Sequence, residues 1–453
     1  MYRLTVVALI IIFFFGSCTK EESKDVTVFE AGGKTTIYSS GPDAYTFPLA
    51  NASASTIDAH FKADADFAQQ FVSAPALFGG LGPVFNQNAC ESCHIRNGRS
   101  AVPQFNGDMQ SGLLLKISMP GHTIQGAPNP VPDFGLQLQT KSIFGTVAEG
   151  QIHKSNVSNT FTYPDGETST LHKPIYQIVQ TYKPLPPHVV VSARNAPPVF
   201  GMGLLEAISI SAMQAVADET DADFNGISGK INWVWDIASA SLMRGKFGYK
   251  ASHTTALQQT AGAFNEDMGL TNSYFDAENA HGQSNAQIGL QTHIDVSDAL
   301  LESAAFYVRT IAVPAARNTT NQAFVAGKQL FKSLNCNACH KEQWITGPAF
   351  IPELSHQKIE PYTDLLLHDM GDDLADNRPE FSASGNEWRT APLWGIGLTQ
   401  VVNPKATFLH DGRAHTIEEA ILWHGGEAQK SKDDFVRLSK AEREKLLLFL
   451  KNL

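Results

Sequence analysis

The sequence predicts a mainly α-helical protein made of two related domains, of which the first carries a β-rich insertion. Three observations support this prediction. A five-residue pattern occurs twice, as "CESCH" (90–94) and "CNACH" (336–340). Amphipathic helical periodicity flanks the second copy, and runs of β-branched and aromatic residues follow the first. A chain of 453 residues is long enough for two or three domains and too long for one core.

The composition is that of a folded protein with an acidic surface. Hydrophobic residues make up 43% and charged residues 17% of the chain, and the net charge is −11. No basic run stands out, so we expect no nucleic-acid partner. The acidic balance would suit a basic partner, although it also serves solubility alone.

Residues 1–17 are expected to be a signal peptide. Arg3 precedes an apolar run from Leu4 to Phe15, which is too short to span a bilayer comfortably. The following "FGSC" resembles the lipobox of bacterial lipoproteins and predicts lipidation of Cys18. An ordinary secretory signal with an incidental cysteine is the alternative. We therefore expect a lipid-anchored protein on the periplasmic side or the cell surface, with residues 18–60 as a polar tether and lead-in segment.

The repeated C-x-x-C-H pattern predicts two covalently attached c-type haems. In this pattern two thiols add to the haem vinyl groups and the adjacent imidazole binds the iron. The predicted haem-binding residues are Cys90, Cys93, His94, Cys336, Cys339 and His340. Disulfides, a four-thiolate zinc site and redox dithiols are alternatives, but each leaves the two histidines unexplained.

The second motif lies in a predicted domain from 316 to 453. An amphipathic helix with Phe324, Leu330 and Phe331 on its apolar face leads into it. A terminal helix begins with a capping box from Ser439 to Glu442. This arrangement resembles the cytochrome c fold, in which the terminal helix packs across the first one.

Weak internal similarity predicts a second, related haem domain from 61 to 315. "RNAPPVFGMGLLEA" (194–207) echoes "RTAPLWGIGLTQV" (389–401), and a later helix pairs Leu257 with Ile417 and Phe264 with His424. Chance similarity between two Pro- and Gly-rich turns is the alternative. A β-rich insertion is expected at about 111–190, where it would shape a surface or brace the domain.

A calcium loop is one interpretation of "DADFNGISG" (221–229). Asp221, Asp223 and Asn225 supply alternate oxygen side chains before Gly226, but Asn232 stands where an EF-hand has glutamate. A plain turn rich in Asp and Asn is equally compatible.

The two motifs, together with "WRTAPLWGIGL" and "FLHDGRAHTIEEAI", resemble the bacterial di-haem cytochrome c peroxidases and the methylamine-utilisation di-haem enzymes. "GPVFNQNACESCH" and "YTDLLLHDMG" are closer to the di-haem oxidoreductase branch, whose members are often labelled thiol oxidoreductases. The residues do not support a thiol activity, since every cysteine of the mature chain is already assigned.

The resemblance implies one six-coordinate haem that relays electrons and one reactive haem. The sixth ligand of the C-terminal haem lies about fourteen residues after the "HDG" histidine, His410, which leads to His424. Relatives usually have Met or Tyr there, so His424 implies bis-histidine ligation and a lower potential than Met ligation. Met370 is the rival ligand.

In the first domain the resemblance implies a reactive haem beside Phe264, which cannot bind iron. Glu266 would take a proton from peroxide and return it to the departing oxygen, with Asp267 as a substitute. Met109 is a candidate for a labile cap on this iron. Tyr249 is the candidate aromatic residue between the haems. The candidate partners of the haem propionates are Arg194, Arg389, Arg96 and Arg99.

Three functions remain open on the sequence alone. The first is a peroxidase-like di-haem oxidoreductase with a reactive N-terminal haem, which would use a small-molecule oxidant and an exported donor such as a small c-type cytochrome. The second is a pure electron-transfer cytochrome, and the third oxidises an organic or protein substrate through a high-valent di-haem state. Relatives are often homodimers.

Overall fold

The computed structural model describes residues 30–73, 79–287, 290 and 293–453. It contains 28% helical and 20% strand residues in several small sheets, so the prediction of a mainly α-helical fold is wrong. The helices cluster around the two Cys-x-x-Cys-His motifs. Hairpins and loops connect the helices. They form where Gly and Pro break helices and where β-branched residues alternate with polar ones.

The helices lie in two groups along the chain. The first group is α1 Ala54–Ala68, α2 Cys90–Cys93, α3 Met202–Glu206, α4 Ile210–Gln214, α5 Ala256–Met268 and α6 Asp298–Thr310. The second group is α7 Gln322–Ser333, α8 Thr399–Val402, α9 Ile417–Leu422, α10 Gln429–Arg437 and α11 Lys440–Asn452. In the part of the chain that the structure describes, no helix is both long and apolar enough to cross a bilayer.

The strands form two- and three-stranded antiparallel sheets. Their bounds are β1 Val84–Phe85, β2 Leu113–His122, β3 Pro128–Asn129, β4 Lys141–Ser142, β5 Gln151–Thr162, β6 Thr168–Val179, β7 Val190–Asn195, β8 Trp233–Asp236, β9 Ser241–Arg244, β10 Trp344–Ile345, β11 Lys358–Ile359, β12 Leu367–Asp369 and β13 Glu387–Arg389. The pairs are β1–β4, β5–β6, β8–β9, β10–β11 and β12–β13, and β2 lies between β3 and β7.

Each Cys-x-x-Cys-His motif follows a helix that packs against a helix much later in the chain. Before the first motif α1 packs on α6, and before the second motif α7 packs on α11. The second crossing is close, because a Cβ atom on Gly327 would lie 2.1 Å from the backbone oxygen of Lys445. Phe324 and Phe331 of α7 contact Phe449 of α11. The capping box of α11 from Ser439 to Glu442 is present.

The segment between the motifs reaches both halves of the protein. Leu115 and Ile117 of β2 are fully buried against Phe134 and Leu138. The long β5–β6 hairpin extends to the C-terminal half, where the Tyr163 hydroxyl donates a 2.7 Å hydrogen bond to Glu418. This segment therefore braces the two halves, in addition to any surface that it forms.

Residues 30–53, predicted as part of a tether, pack on the rest of the protein. Tyr45 is buried, its ring stacks on Phe200 at 4.2 Å, and its hydroxyl donates to the Gly395 oxygen at 2.6 Å. The predicted domain boundaries stay predictions. The signal peptide and Cys18 lie outside the described residues.

Candidate functional site: two cysteine–histidine centres

The second motif forms a short turn that leaves one imidazole nitrogen available. Cys336–Ala338 is a single 3₁₀ turn after α7, and the His340 backbone donates to the Cys336 oxygen at 3.0 Å. His340 Nδ1 donates to the Tyr362 oxygen at 3.0 Å. This bond orients the ring and leaves Nε2 as the ligating atom, as in other metal-binding histidines.

His424 lies close to His340, as the prediction of bis-histidine ligation requires. Its Nδ1 donates to the Ala420 oxygen at 2.8 Å, so its Nε2 is also available. The pKa of His340 is lowered to about 4, first by burial and also by the neighbouring His424 imidazole. The rival Met370 packs among the apolar side chains of this half, and its backbone oxygen lies next to Gly425. His424 and Met370 both stay predicted ligands.

The first motif repeats the same orientation of the imidazole. Cys90–Cys93 is one turn of helix, and His94 Nδ1 donates to the Pro197 oxygen at 2.8 Å. None of the four described cysteines forms a disulfide, and the four do not gather around one point. Cys339 lies near Asp364 and His368 rather than near a second pair of cysteines. Thiols kept unpaired beside oriented imidazoles fit the chemistry of haem attachment better than they fit the disulfide or zinc alternatives.

The helices α5 and α9 each follow a tight turn, and their sequences can be aligned from their first residues. Thr255 and Thr416 are their N-caps, and each hydroxyl accepts from the backbone nitrogen three residues on, at 3.1 and 3.0 Å. The preceding bridges, Phe247 with His253 and Phe408 with Ala414, keep the same spacing.

This structural alignment differs by one residue from the pairing of the two helices that the sequence predicted. It keeps Tyr249 opposite His410, but it sets Ala263, rather than Phe264, against His424. Phe264 is buried and contacts Phe71 edge-on at 5.8 Å. Since alanine offers no ligating atom, α5 still contributes no iron ligand at this position.

Glu266 follows Ala263 by three residues and so lies on the same face of α5. Its carboxylate forms an ion pair with Lys116 of β2, and both side chains are only partly exposed, at 30% and 21%. Burial acts to raise the pKa of Glu266, but Lys116 and, more weakly, His253 and Arg378 bring it below its usual value. Glu266 is therefore held as a carboxylate.

The segment after β2 also fixes the end of α5. The side-chain amides of Gln137 and Gln139 donate to the Glu266 backbone oxygen at 3.0 and 2.8 Å, and Gln137 donates to Asp267 at 2.8 Å. Burial raises the pKa of Asp267 to about 6. Lys116, Gln137 and Gln139 were not among the predicted residues, because nothing local in a β-rich run indicates which distant helix its polar residues will meet.

Tyr249 lies in an aromatic cluster at the contact between the two halves. Its ring is edge-on to Trp388 at 6.3 Å and to His410 at 6.5 Å, and Trp388 stacks on His410 at 3.8 Å. The cations of Arg194 and Lys250 lie 4.5 and 4.4 Å from the Trp388 ring. Trp388 was not among the predicted residues, although it directly precedes Arg389 in the repeated segment.

The candidate propionate partners differ in how their charge is balanced. Arg194 forms ion pairs with Asp376 and Glu380 at 2.7 and 3.0 Å. Arg389 donates only to backbone oxygens, those of Gly248 and Thr390, and has no ion pair within the described chain. Burial lowers the pKa of Arg389 to about 10. A half-buried guanidinium that feels Asp364 but forms no direct ion pair with a carboxylate fits a haem propionate.

The other predicted site residues are placed as follows. Arg99 donates to the backbone oxygens of Thr407 and Leu409, and Arg96 donates to that of Val402. The Met109 side chain is 47% exposed. Its role as a labile cap stays a prediction.

The candidate calcium loop folds as a local turn. Carboxylate oxygens of Asp218, Asp221 and Asp223 lie within 4.8 Å of one another. Asn225 donates its amide to Asp223, and Asn232 is buried and donates to the Lys250 oxygen. Asn232 thus points away from the loop, and calcium binding stays a prediction.

Two centres, each with two thiols outside any disulfide and an oriented imidazole, fit a protein that binds two haems. The profile of the family described as "Di-haem oxidoreductase, putative peroxidase" matches residues 25–453. The chain therefore belongs to the di-haem oxidoreductase family and is an enzyme of this class. No curated protein matches the chain.

Proposed function

We propose that the protein is an exported c-type di-haem oxidoreductase that reduces a peroxide at its N-terminal centre and receives electrons through its C-terminal centre. The observation that carries this proposal is the difference between α5 and α9. One brings His424 beside His340, while the other, in the same register, offers Ala263 and a carboxylate held by Lys116.

The residues that would hold the haems follow from the donor set. Cys90 and Cys93 would form the thioethers of one haem and His94 would bind its iron. The corresponding residues of the other centre are Cys336, Cys339, His340 and His424. Arg389 would balance a propionate. Bound haem would supply a redox-active iron at each centre.

Glu266 would act as the acid and base of peroxide reduction. Because Lys116 keeps it ionised, it can accept a proton from the peroxide hydroxyl and return that proton to the departing oxygen. The two electrons that complete the reduction would come, one at a time, from a reduced exported donor such as a small c-type cytochrome, and the two further protons that water formation requires would come from solvent. Lys116 would position the carboxylate and retain it as a base.

The aromatic cluster Tyr249, Trp388 and His410 would lie on the electron path, because it joins residues of both halves at van der Waals distances. Lipidation at Cys18 would anchor the protein on the periplasmic side or the cell surface, and its net charge of −11 suits a basic donor. Mass spectrometry of the mature N-terminus checks the anchor. A lipid-free N-terminus would refute it.

Spectra of the purified holoprotein test the proposal. We expect one low-spin and one high-spin ferric haem in the electron paramagnetic resonance spectrum, and turnover when peroxide and a reduced c-type cytochrome are both present. Two low-spin haems that remain so on reduction would instead support a pure electron-transfer cytochrome. A high-spin signal without peroxide turnover would favour oxidation of an organic or protein substrate.

A further inference from the structure

Two histidines and a glutamate meet where the β5–β6 hairpin touches the C-terminal half. His172 belongs to β6, whereas His415 and Glu419 lie at the start of α9. Glu419 is 2% exposed, and its two oxygens accept from the backbone nitrogens of His172 and His415 at 2.6 and 2.7 Å. The carboxylate is thus fixed by the same two residues that carry the imidazoles.

The three side chains bring potential ligand atoms together. One ligand atom from each lies within 4.8 Å of the other two. His172 Nδ1 is 2.9 Å from a Glu419 oxygen. In a tetrahedral zinc site, two ligand atoms that are each about 2.1 Å from the ion lie about 3.4 Å apart. The 2.9 Å separation is that of a hydrogen bond, and a shift of about 0.5 Å would let both atoms bind one ion.

We propose that His172, His415 and Glu419 form a site for a divalent transition metal ion of the zinc class. Two imidazoles and one carboxylate suit Zn²⁺ or its neighbours, whereas Ca²⁺ and Mg²⁺ prefer oxygen ligands. The site lies outside the two cysteine–histidine centres and does not depend on the proposed peroxide chemistry.

One rearrangement is needed for all three residues to bind the same ion. The His172 and His415 rings stack at 4.1 Å with an angle of 11° between them, so their nitrogens do not yet converge. His415 is exposed and can turn about its side-chain bonds. The pKa of His415 is lowered mainly by burial and by the neighbouring His172, and to a smaller extent by Lys154. The positive charge of Lys154 would weaken metal binding without blocking it.

A bound ion would clamp the hairpin to α9. Without it, this contact relies on the hydrogen bonds to Glu419 and on those around Tyr163. His424 follows α9 by two residues, so the clamp would also restrict movement of the segment that carries this imidazole.

Zinc titration of the chelator-treated holoprotein tests the site. We expect one Zn²⁺ per chain by calorimetry, and more than about 10-fold weaker binding in His172→Ala and in His415→Ala. The matched control is His122→Ala, an exposed histidine elsewhere on the insertion, which should bind as the wild type does. Equal affinity in all four proteins, or no saturable binding, would overturn the proposal.

A measurement on the wild type keeps the test decisive if a variant folds poorly. X-ray absorption at the zinc edge is not obscured by haem iron. It should show two imidazole ligands with oxygen in the remaining positions. A zinc environment of oxygen alone, or one with sulfur, would exclude this site.

Discussion

The helices α5 and α9 begin in the same way and end with different chemistry. Both start from a threonine N-cap with nearly identical backbone angles, φ −132° and −135°. Eight residues after its N-cap, α9 has already ended and the chain carries His424. At the same distance from its N-cap, α5 is still helical and carries Ala263. Gly425 and Gly426 follow His424, and Gly426, with a positive φ of 54°, begins the short 3₁₀ turn after α9.

The second difference is what packs against each helix. The end of α5 receives Lys116 and Gln137 from the insertion, which pair with Glu266 and Asp267. The start of α9 receives His172, which contacts Glu419. The same inserted segment thus supplies charge to one centre and a brace to the other.

Placing a histidine on α5 should remove the difference between the centres and has the largest expected effect. Ala263→His should ligate the N-terminal iron, convert its high-spin signal to low spin and abolish peroxide turnover. The register of the N-caps predicts this outcome for position 263 alone.

The matched variant is Phe264→His. Phe264 is 1% exposed, so this change should leave the spin state unaltered and cost about 3 kcal/mol of stability. Thermal unfolding and electron paramagnetic resonance distinguish the two variants. If Phe264→His were the one that became low spin, the sequence pairing would be right and the structural register wrong.

Removing the carboxylate of Glu266 tests the reactive centre directly. Glu266→Gln keeps the shape of the side chain and should lower peroxide turnover by about 10²–10⁴-fold, because no base would remain to move the proton. The control is Glu302→Gln, whose carboxylate is 60% exposed on α6. Unchanged steady-state turnover in Glu266→Gln would assign the proton transfer elsewhere, with Asp267 as the next candidate.

The sequence allows a prediction of the two centres but not of the residues that surround them. Cys-x-x-Cys-His is local, so spacing alone predicts its six residues, and the family resemblance leads from His410 to His424; these assignments stay predictions. The ion pair between Lys116 and Glu266 joins residues 150 positions apart, and no local pattern encodes such a contact. The mainly α-helical prediction failed because strands form outside the expected insertion as well, as in the pairs β8–β9 and β12–β13.

Lys116→Met should lower peroxide turnover less than Glu266→Gln does. Without the ammonium group, burial raises the pKa of Glu266, so the acid limb of the turnover profile should move to higher pH. His253, Arg378 and Asp267 also face this carboxylate and remain in the variant. Lys116→Arg should restore the profile. An acid limb that stays at the wild-type pH in Lys116→Met would separate Lys116 from the protonation of Glu266.

The same variant has a predicted stability signature. A carboxylate with a lowered folded-state pKa stabilises the protein above its unfolded pKa, and this stabilisation is lost as pH falls through the folded value. Lys116→Met should therefore cost about 1 kcal/mol near neutral pH and less in acid. Lys183→Met, which removes a more exposed pair with Asp133, is the control and should cost less. Denaturant titrations at neutral and acidic pH measure both.

The smallest expected effects concern the contact between the halves. Tyr249→Phe loses the hydroxyl's 2.7 Å bond to the Asn195 oxygen and the 3.2 Å bond from Arg99. This should cost about 1 kcal/mol of stability and leave electron transfer between the centres unchanged.

Trp388→Leu removes the ring that stacks on His410 at 3.8 Å and should slow electron transfer between the centres in stopped-flow measurements. Tyr249→Leu tests the alternative. If Tyr249→Leu slows electron transfer more than Trp388→Leu does, the edge-on ring of Tyr249 is the main aromatic bridge, rather than the stacked pair of Trp388 and His410.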